Sequence, residues 1–328
     1  MHVLPRLLPL WLAVLAGLIA ALCLGAQDYP PAVLWAALTA FDPKDPAQAI
    51  VMGMRLPRAL AAMVIGAALA CAGVIMQAMT RNPLADPGLT GVNAGAALAV
   101  VIGMFWLGAL PQPGIAALAL GGAALAALLV HALAGGGDTT LRLPLAGAAL
   151  SSLFMALVAL IVLMNPEARN SYRFWMVGSL AAVQLPALAV LAPVAGLGIL
   201  LAALVARQIE ALMLGAEMGQ SLGLNVGRVM GLGLAAVALC AGASVAIAGP
   251  IGFVGLIAPH LARSLRSGAS LTQQLALACP VGAGLAIFAD LAGRWLLRPS
   301  ELQLGLVLAM LGAPAFMVVI RRMIREGA

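Results

Sequence analysis

Few side chains in this 328-residue chain could do chemistry. Asp290 and Arg294 stand four apart in an apolar run. On a helix that spacing makes a neighbouring ion pair, and a carboxylate inside a membrane can also relay protons. The other apolar runs offer little to continue a relay, which favours the ion pair. His2, His131 and His260 show no metal-ligand spacing, and His260, just after Pro259, reads as structural. Cys23, Cys71, Cys240 and Cys279 lie in apolar runs without C-x-x-C spacing. They read as buried thiols behaving as small hydrophobes, with no disulfide and no metal site expected. Lys44 is the only lysine. A phosphate-binding Walker loop needs Gly-Lys-Ser/Thr, so this chain cannot hydrolyse ATP by that route. No nucleophile paired with a base is visible, and neither catalytic residues nor a cofactor bound by the chain itself are expected.

The elements that must position these residues are helices in a membrane. The chain is 64% hydrophobic and 9% charged, with a mean hydropathy of +1.10. Soluble domains carry about 25% charged residues. A spanning helix needs about 20 apolar residues. Ten apolar segments can be drawn: 7–26, 55–79, 91–110, 113–134, 141–164, 187–206, 228–248, 253–265, 271–296 and 305–324. The spacing therefore predicts an all-α polytopic membrane protein of about ten transmembrane helices, in one domain over 1–328. The eighth segment is too short to span alone and reads as a broken helix. Turn residues mark most breaks: Asp28 to Pro31, Asn82-Pro83, Pro111 to Gly114, Gly135 to Asp138 and Asn165-Pro166. The first segment, Leu7 to Leu24 after Arg6, exceeds a signal-peptide core of about 7–15 residues and is expected to be an uncleaved helix.

Net charge is +6, which in a soluble protein would suggest nucleic acid. Here the basic residues sit at segment ends, and no nucleic acid is expected. With the N-terminus inside, ten of the 17 basic residues fall on the cytoplasmic side. That bias supports cytoplasmic termini.

Three stretches interrupt the grease. Gly249 to Arg263 (GPIGFVGLIAPHLAR) places prolines and glycines in an apolar run. In lipid, a helix break frees backbone groups that must find partners inside the protein, so such a break is buried or lines a path. Arg81-Asn82-Pro83-Leu84-Ala85-Asp86-Pro87 reads either as an ordinary Asn-Pro turn or as a gate closing the inner end of a path. Residues 207–228 mix Leu212, Leu214, Met218 and Leu222 with glycines at 215, 219 and 223. They read as short helices across the cytoplasmic face, either interfacial or docking a motor subunit. On the outer side, Arg55-Leu56-Pro57-Arg58 opens the second segment. It serves as a snorkelling anchor or as a clasp for carboxylates of a soluble partner. A short echo, Cys71-Ala72-Gly73 against Cys240-Ala241-Gly242, lies five segments apart, as in inverted repeats.

Together these motifs resemble the permeases of type II ABC importers, the FecCD family, which take up ferric siderophores, haem and vitamin B12. The resemblance runs from about residue 50 to 318. It rests on Arg55 to Arg58, Gly73 to Gln77 with Arg81 to Pro87, Gly91 to Ala96, Gly249 to Arg263, and Gly312-Ala313-Pro314 with Phe316. It implies a vitamin B12-permease-like fold and a homodimer around a central path, in a bacterial inner membrane. Two cytoplasmic ATP-binding subunits, using ATP and Mg, and a periplasmic substrate-binding protein would complete the importer. By position, Arg55, Arg58 and Arg294 would meet the binding protein. A coupling segment at about 210–225, with Leu214, Gly215, Glu217, Leu222 and Gly223, would seat in the ATPase. Asn82 and Leu84 would lie near the inner gate, and Ser151, Ser152 and Met155 on the fifth helix would line the path.

The chain departs from the family pattern at several positions. Gly219 is expected to loosen the coupling helix. Ala269-Ser270-Leu271 replaces a polar group. Gln303 and Leu308 stand where Pro and Thr are common, and Leu308 is expected to make the path more apolar. Arg173 to Leu180 looks more like the ferric siderophore members than the haem or cobalamin ones. The implied mechanism is alternating access, with ATP hydrolysed by a partner. An ion-coupled secondary transporter would need buried carboxylates, which are scarce here.

Overall fold

A computed structural model describes residues 4–108, 110–135, 139–298 and 300–326. Its helices are α1 (Leu4–Cys23), α2 (Pro31–Thr39), α3 (Pro46–Ile50), α4 (Leu56–Met79), α5 (Val92–Leu107), α6 (Gln112–Ala134) and α7 (Thr139–Met164). They continue with α8 (Pro166–Met176), α9 (Leu185–Met213), α10 (Ala216–Ser221), α11 (Val226–Ala248), α12 (Val254–Leu265), α13 (Leu271–Leu296) and α14 (Leu304–Glu326). A π-helical turn, Val51–Arg55, joins α3 to α4, and a 3-10 turn, Pro87–Thr90, precedes α5. No strand occurs among the described residues. The charge bias that sets the termini in the cytoplasm makes the end of the bundle with Arg55 and Arg294 the outer one.

All ten expected segments are helical. Seven of the described helices are long and apolar enough to cross a membrane. α5 has 16 residues, the apolar part of α14 is Leu304–Val318, and α12 has 12 residues. At 1.5 Å per residue these reach about 24, 22 and 18 Å, against about 30 Å of hydrocarbon. The short α12 agrees with the broken helix expected at 253–265. It begins after Gly249 and Phe253, both in the left-handed region (φ 79° and 68°).

α2, α3 and α8 are not foreseen in the sequence, whereas α10 falls within the short helices expected over 207–228. Proline opens α2, α3 and α8 near the first helical position, where its missing N–H costs nothing. In the sequence, Pro31 and Pro166 carry a turn signal as well. α9 runs seven residues past the expected end at 206 and carries Arg207 to Met213 out of the apolar layer. Of the expected turn at Gly135–Asp138, residues 136–138 lie outside the described residues, as does His2. The side chains of Arg322 and Arg325 are likewise outside them.

α4 is the hub. It packs on α13, α11, α9 and α12, and nearly all its residues from Ala59 to Met79 are buried. Close approach needs small residues, because lipid gives helices no hydrophobic reason to associate. At Gly66 a Cβ would lie 2.2 Å from the Gly282 carbonyl oxygen, and at Gly73 it would lie 2.0 Å from that of Gly255. α5 and α6 meet through Gly95 and Gly122 in the same way. The bundle's contacts are therefore backbone to backbone at its crossing points.

One crossing also solves a hydrogen-bonding problem. Pro259 lies inside α12 and has no N–H for the carbonyl four residues back, which is that of Gly255. Gln77 of α4 donates its side-chain amide to this oxygen at 3.1 Å. Gly73 and Gln77 share one face of α4: the glycine lets the helices touch and the glutamine supplies the missing donor.

The glycine contacts predict unequal costs. Gly73→Ala is expected to destabilise by about 1–3 kcal/mol through overpacking against backbone. Gly121→Ala, in α6 with nothing within 4 Å of the new methyl, is expected to be neutral or stabilising by up to about 1 kcal/mol. Thermal unfolding of the purified permease checks this, and equal stability of the two variants would contradict it.

Candidate functional site

The outer end is organised by arginines around the last turn of α1. The last four carbonyls of a helix lack intrahelical donors. Arg55 donates Nη1 to the carbonyls of Leu22 and Cys23, each at 2.9 Å, and Nη2 to that of Gln27. Arg294 donates to Ala21 at 3.0 Å and Leu24 at 3.3 Å. Two cations thus sit at the negative end of the α1 dipole. The π turn at 51–55 aims Arg55 inward, and its guanidinium lies 4.6 Å from the centre of the Tyr29 ring. Asp290, buried on α13, is held between Arg58 Nε at 2.9 Å and Arg294 Nε at 3.1 Å. Arg58 also pairs with Glu301, and Arg298 pairs with Asp28 at 2.9 Å.

This arrangement changes the reading of the docking arginines. Arg55 and Arg294 are 7% and 3% exposed; both Arg55 Nη atoms and Arg294 Nη1 are turned to the end of α1, while Arg294 Nη2 has no partner among the described residues. Arg58 sits at the rim of an open cavity of about 410 Å³ that Arg55, Arg294, Tyr29 and Glu301 also line. The ion pair expected from the Asp290–Arg294 spacing is present, and Arg58 extends it to a triad. The π turn and the destination of the arginines left no mark in sequence periodicity.

At the inner end, the turn after α4 meets the end of α9, next to α10. α4 ends in a Schellman motif: Asn82 N–H donates to Gln77 and Arg81 N–H to Ala78. Arg81 holds the left-handed position (φ 48°) where glycine is normal, a strain of about 1–2 kcal/mol. Its side chain donates to the Leu212 carbonyl at 2.7 Å, near the end of α9. Asn82 is exposed, and its Oδ1 accepts from Leu84 N–H at 2.9 Å, which closes an Asx turn. Asp86 accepts from Gly88 N–H at 2.7 Å and caps the 3-10 turn, whose Pro87 packs on Gly255 of α12.

α10 is bounded by Gly215 (φ 133°) and Gly223 (φ 78°), and Leu224 N–H returns to Gly219 at 3.0 Å. Leu214, Met218 and Leu222 are 76%, 52% and 64% exposed, and Glu217 is also exposed. Gly219 is buried, and a Cβ there would lie 2.3 Å from Leu212 Cδ2. It seats α10 on α9, so packing rather than loosening accounts for that glycine. Leu212 is the shared piece: its carbonyl holds Arg81 and its side chain receives Gly219.

On α7, Ser152 is exposed, with its hydroxyl donating to Ala148 at 2.9 Å. Ser151 and Met155 are half-buried; Ser151 Oγ lies near Gly91. Leu153, Leu157, Leu160 and Leu163 complete an apolar exposed face. α14 packs on α12 and α13 and exposes Leu306, Met310, Leu311 and Met317. Leu308, expected on the path, is buried on the side facing its own chain. Gln303 is half-buried and lines an outer cavity of about 360 Å³ with Ser171, Phe174 and Trp175.

An all-α bundle of apolar helices with broken crossings and a glycine-bounded interfacial helix defines a multi-pass membrane transport subunit. The chain belongs to the FecCD transport family, which matches residues 12–322. It is 40% identical over 312 residues to the ferric enterobactin transport system permease protein FepD of Escherichia coli K12, covering 94% of this chain and 92% of that one. It is 36% identical to the hemin transport system permease protein HmuU of Yersinia pestis, over 97% and 96% of the two chains. Among solved structures, an inward-facing metal-chelate type ABC transporter superposes with a TM-score of 0.84 at 28% identity, over 98% of this chain and 99% of that one. The chain is thus an inner-membrane permease subunit of the ABC class, a transport component and not an enzyme.

Burial raises the Asp86 carboxyl above its ordinary range, opposed in part by the Gly88 N–H. A raised folded value means that the folded chain holds this proton more tightly than the unfolded one. The contribution to stability is full below the unfolded pKa and is lost as pH rises through the folded pKa. Asp86→Asn keeps the capping acceptor and removes the charge. It is expected to be more stable than the parent at pH 8, by a margin that shrinks as pH falls. A variant less stable than the parent at pH 8 would contradict this.

Proposed function

We propose that this chain forms one half of a homodimeric permease importing an iron chelate, a ferric siderophore first among them, with both termini in the cytoplasm. Two ATP-binding subunits supply the work, hydrolysing ATP with Mg, and a periplasmic binding protein delivers the cargo. The observation that carries the reading is the Arg81–Leu212–Gly219 connection. It ties the turn at the inner end of α4 to the helix that presents Leu214, Met218 and Leu222 to a partner. Closure of the ATPase pair moves α10, and the turn bearing Asn82 and Leu84 moves with it. A ligand or partner shifts such an equilibrium only by binding one state better than the other, so the work is differential stabilisation of inward and outward states.

The exposed apolar faces of α7 and α14 suit the contact between two copies and the walls of the path between them. Ser152 is the path residue with the best access. An apolar wall with few charges lets a bulky chelate pass without a tight site. At the outer face, Arg58 and the groups around its cavity meet the binding protein, while Arg55 and Arg294 act indirectly by holding the end of α1. The siderophore reading rests on the ferric enterobactin relative and on the Arg173 to Leu180 segment. Haem, as in the hemin relative, is the alternative within the same class, with vitamin B12 after it.

Uptake of iron-55 as ferric enterobactin, beside haem and cobalamin, in cells with and without the gene checks the cargo. Loss of siderophore uptake alone is expected. Retained siderophore uptake with lost haem or cobalamin uptake would refute the cargo and keep the class.

A further inference from the structure

A second cavity, of about 360 Å³, opens at the inner end between α4, the end of α9, α12 and the start of α13. Its volume is at the small end of ligand pockets, about 300–1,000 Å³. Val74, Met213 and Leu271 make its apolar wall; Gln77, Arg81, Arg263 and Gln274 make its polar one. None of the lining residues is acidic. Arg263 Nη2 is buried without a hydrogen-bond partner among the described residues, and so is Arg266 Nη1, three residues on. Gln77 is fixed by its donation to the Gly255 carbonyl, which leaves its Oε1 buried and unpartnered as well.

A buried donor on a cation and a buried acceptor, each without a partner, are costly to leave empty. A guanidinium fork matches the oxygens of a phosphate. The amide oxygen asks for a hydroxyl. The apolar wall, reaching back to Val74 inside α4, accepts a hydrocarbon stem.

We propose that this cavity binds a phosphate ester carrying a free hydroxyl, of the glycerophosphate class, with the phosphate on Arg263 and the hydroxyl donating to Gln77 Oε1. Such a group arises from the headgroup of an anionic phospholipid in the inner leaflet or from a soluble sugar or glycerol phosphate. Held there, it lies beside Arg81 and Met213, at the link between gate turn and coupling helix, and so biases the permease between its states. The site does not depend on which chelate is carried.

The test is thermal unfolding of the full-length permease, purified in neutral detergent and titrated with phosphatidylglycerol, with diacylglycerol, or with glycerol 3-phosphate. A saturable rise in Tm with phosphatidylglycerol, and none with diacylglycerol, is expected. Arg263→Gln should raise the half-saturating concentration about tenfold, the loss of one charged hydrogen bond. Gln77→Glu places a carboxylate in the cavity and should abolish the response even if Arg263→Gln fails to fold. Arg142→Gln, an exposed arginine outside the cavity, should respond as the parent does. Stabilisation by glycerol 3-phosphate alone at matched concentration would assign the soluble source; stabilisation by the lipid alone would assign the headgroup. Equal effects of diacylglycerol and phosphatidylglycerol, or an unchanged lipid response in Gln77→Glu, would overturn the proposal.

Discussion

Every backbone group freed by a helix end or a proline inside the membrane must find a partner in the protein, and this constraint accounts for Arg55, Arg294, Gln77 and Arg81. α1 stops at Cys23, and its last carbonyls are met by Arg55 and Arg294. Pro259 removes a donor from α12, and Gln77 replaces it. Where α9 ends, Arg81 takes the Leu212 carbonyl. Where α8 gives way to the outer loop, Ser179 N–H returns to Ala248 at 2.8 Å and Gly305 N–H to Gly178 at 3.0 Å. The few polar residues of an apolar chain stand where the backbone is broken.

These same repairs couple the elements. Gly73 and Gln77, four apart, touch α12 twice along one stripe of α4, and Arg81, just past the end of α4, ties it to the end of α9. A helix fixed at three points transmits displacement along its length, because close-packed interfaces switch between arrangements rather than deform smoothly. The outer triad of Arg58, Asp290 and Arg294 ties α4 to α13 at the other end. α4 therefore joins the outer arginine cluster to the turn at residues 81–87. A permease that passes work from a cytoplasmic motor to an outer opening needs such a member.

Much of the architecture was legible in the sequence. Hydropathy alone places the ten apolar segments, and the Gly-Pro interruption at 249–259 marks the short helix. The Asp290–Arg294 spacing anticipates their contact. Less legible was everything set by three-dimensional neighbours. The resemblance sets Arg55 and Arg294 toward a binding protein, and a linear pattern does not show the α1 carbonyls they meet. Leu308 read as a path residue because resemblance by position gives a helix but not its rotation. Gly219 read as a weak point of α10, since its partner Leu212 lies on another helix. The proline-opened helices α2 and α8 were hidden because proline signals a turn and a helix start with the same letter.

The central claim is that Arg55 and Arg294 hold the end of α1 in place. Its most direct test is the stability of the isolated permease, with no binding protein present, in Arg55→Met, Arg294→Met and the double variant. The account predicts a marked loss of stability in each single variant: about 3–5 kcal/mol for Arg294→Met, which removes a buried partner of Asp290, and about 1–3 kcal/mol for each carbonyl left unmet in Arg55→Met. The losses should be non-additive in the double variant, because both side chains serve the same helix end. Unchanged stability of the isolated permease, with loss confined to its affinity for the binding protein, would contradict it.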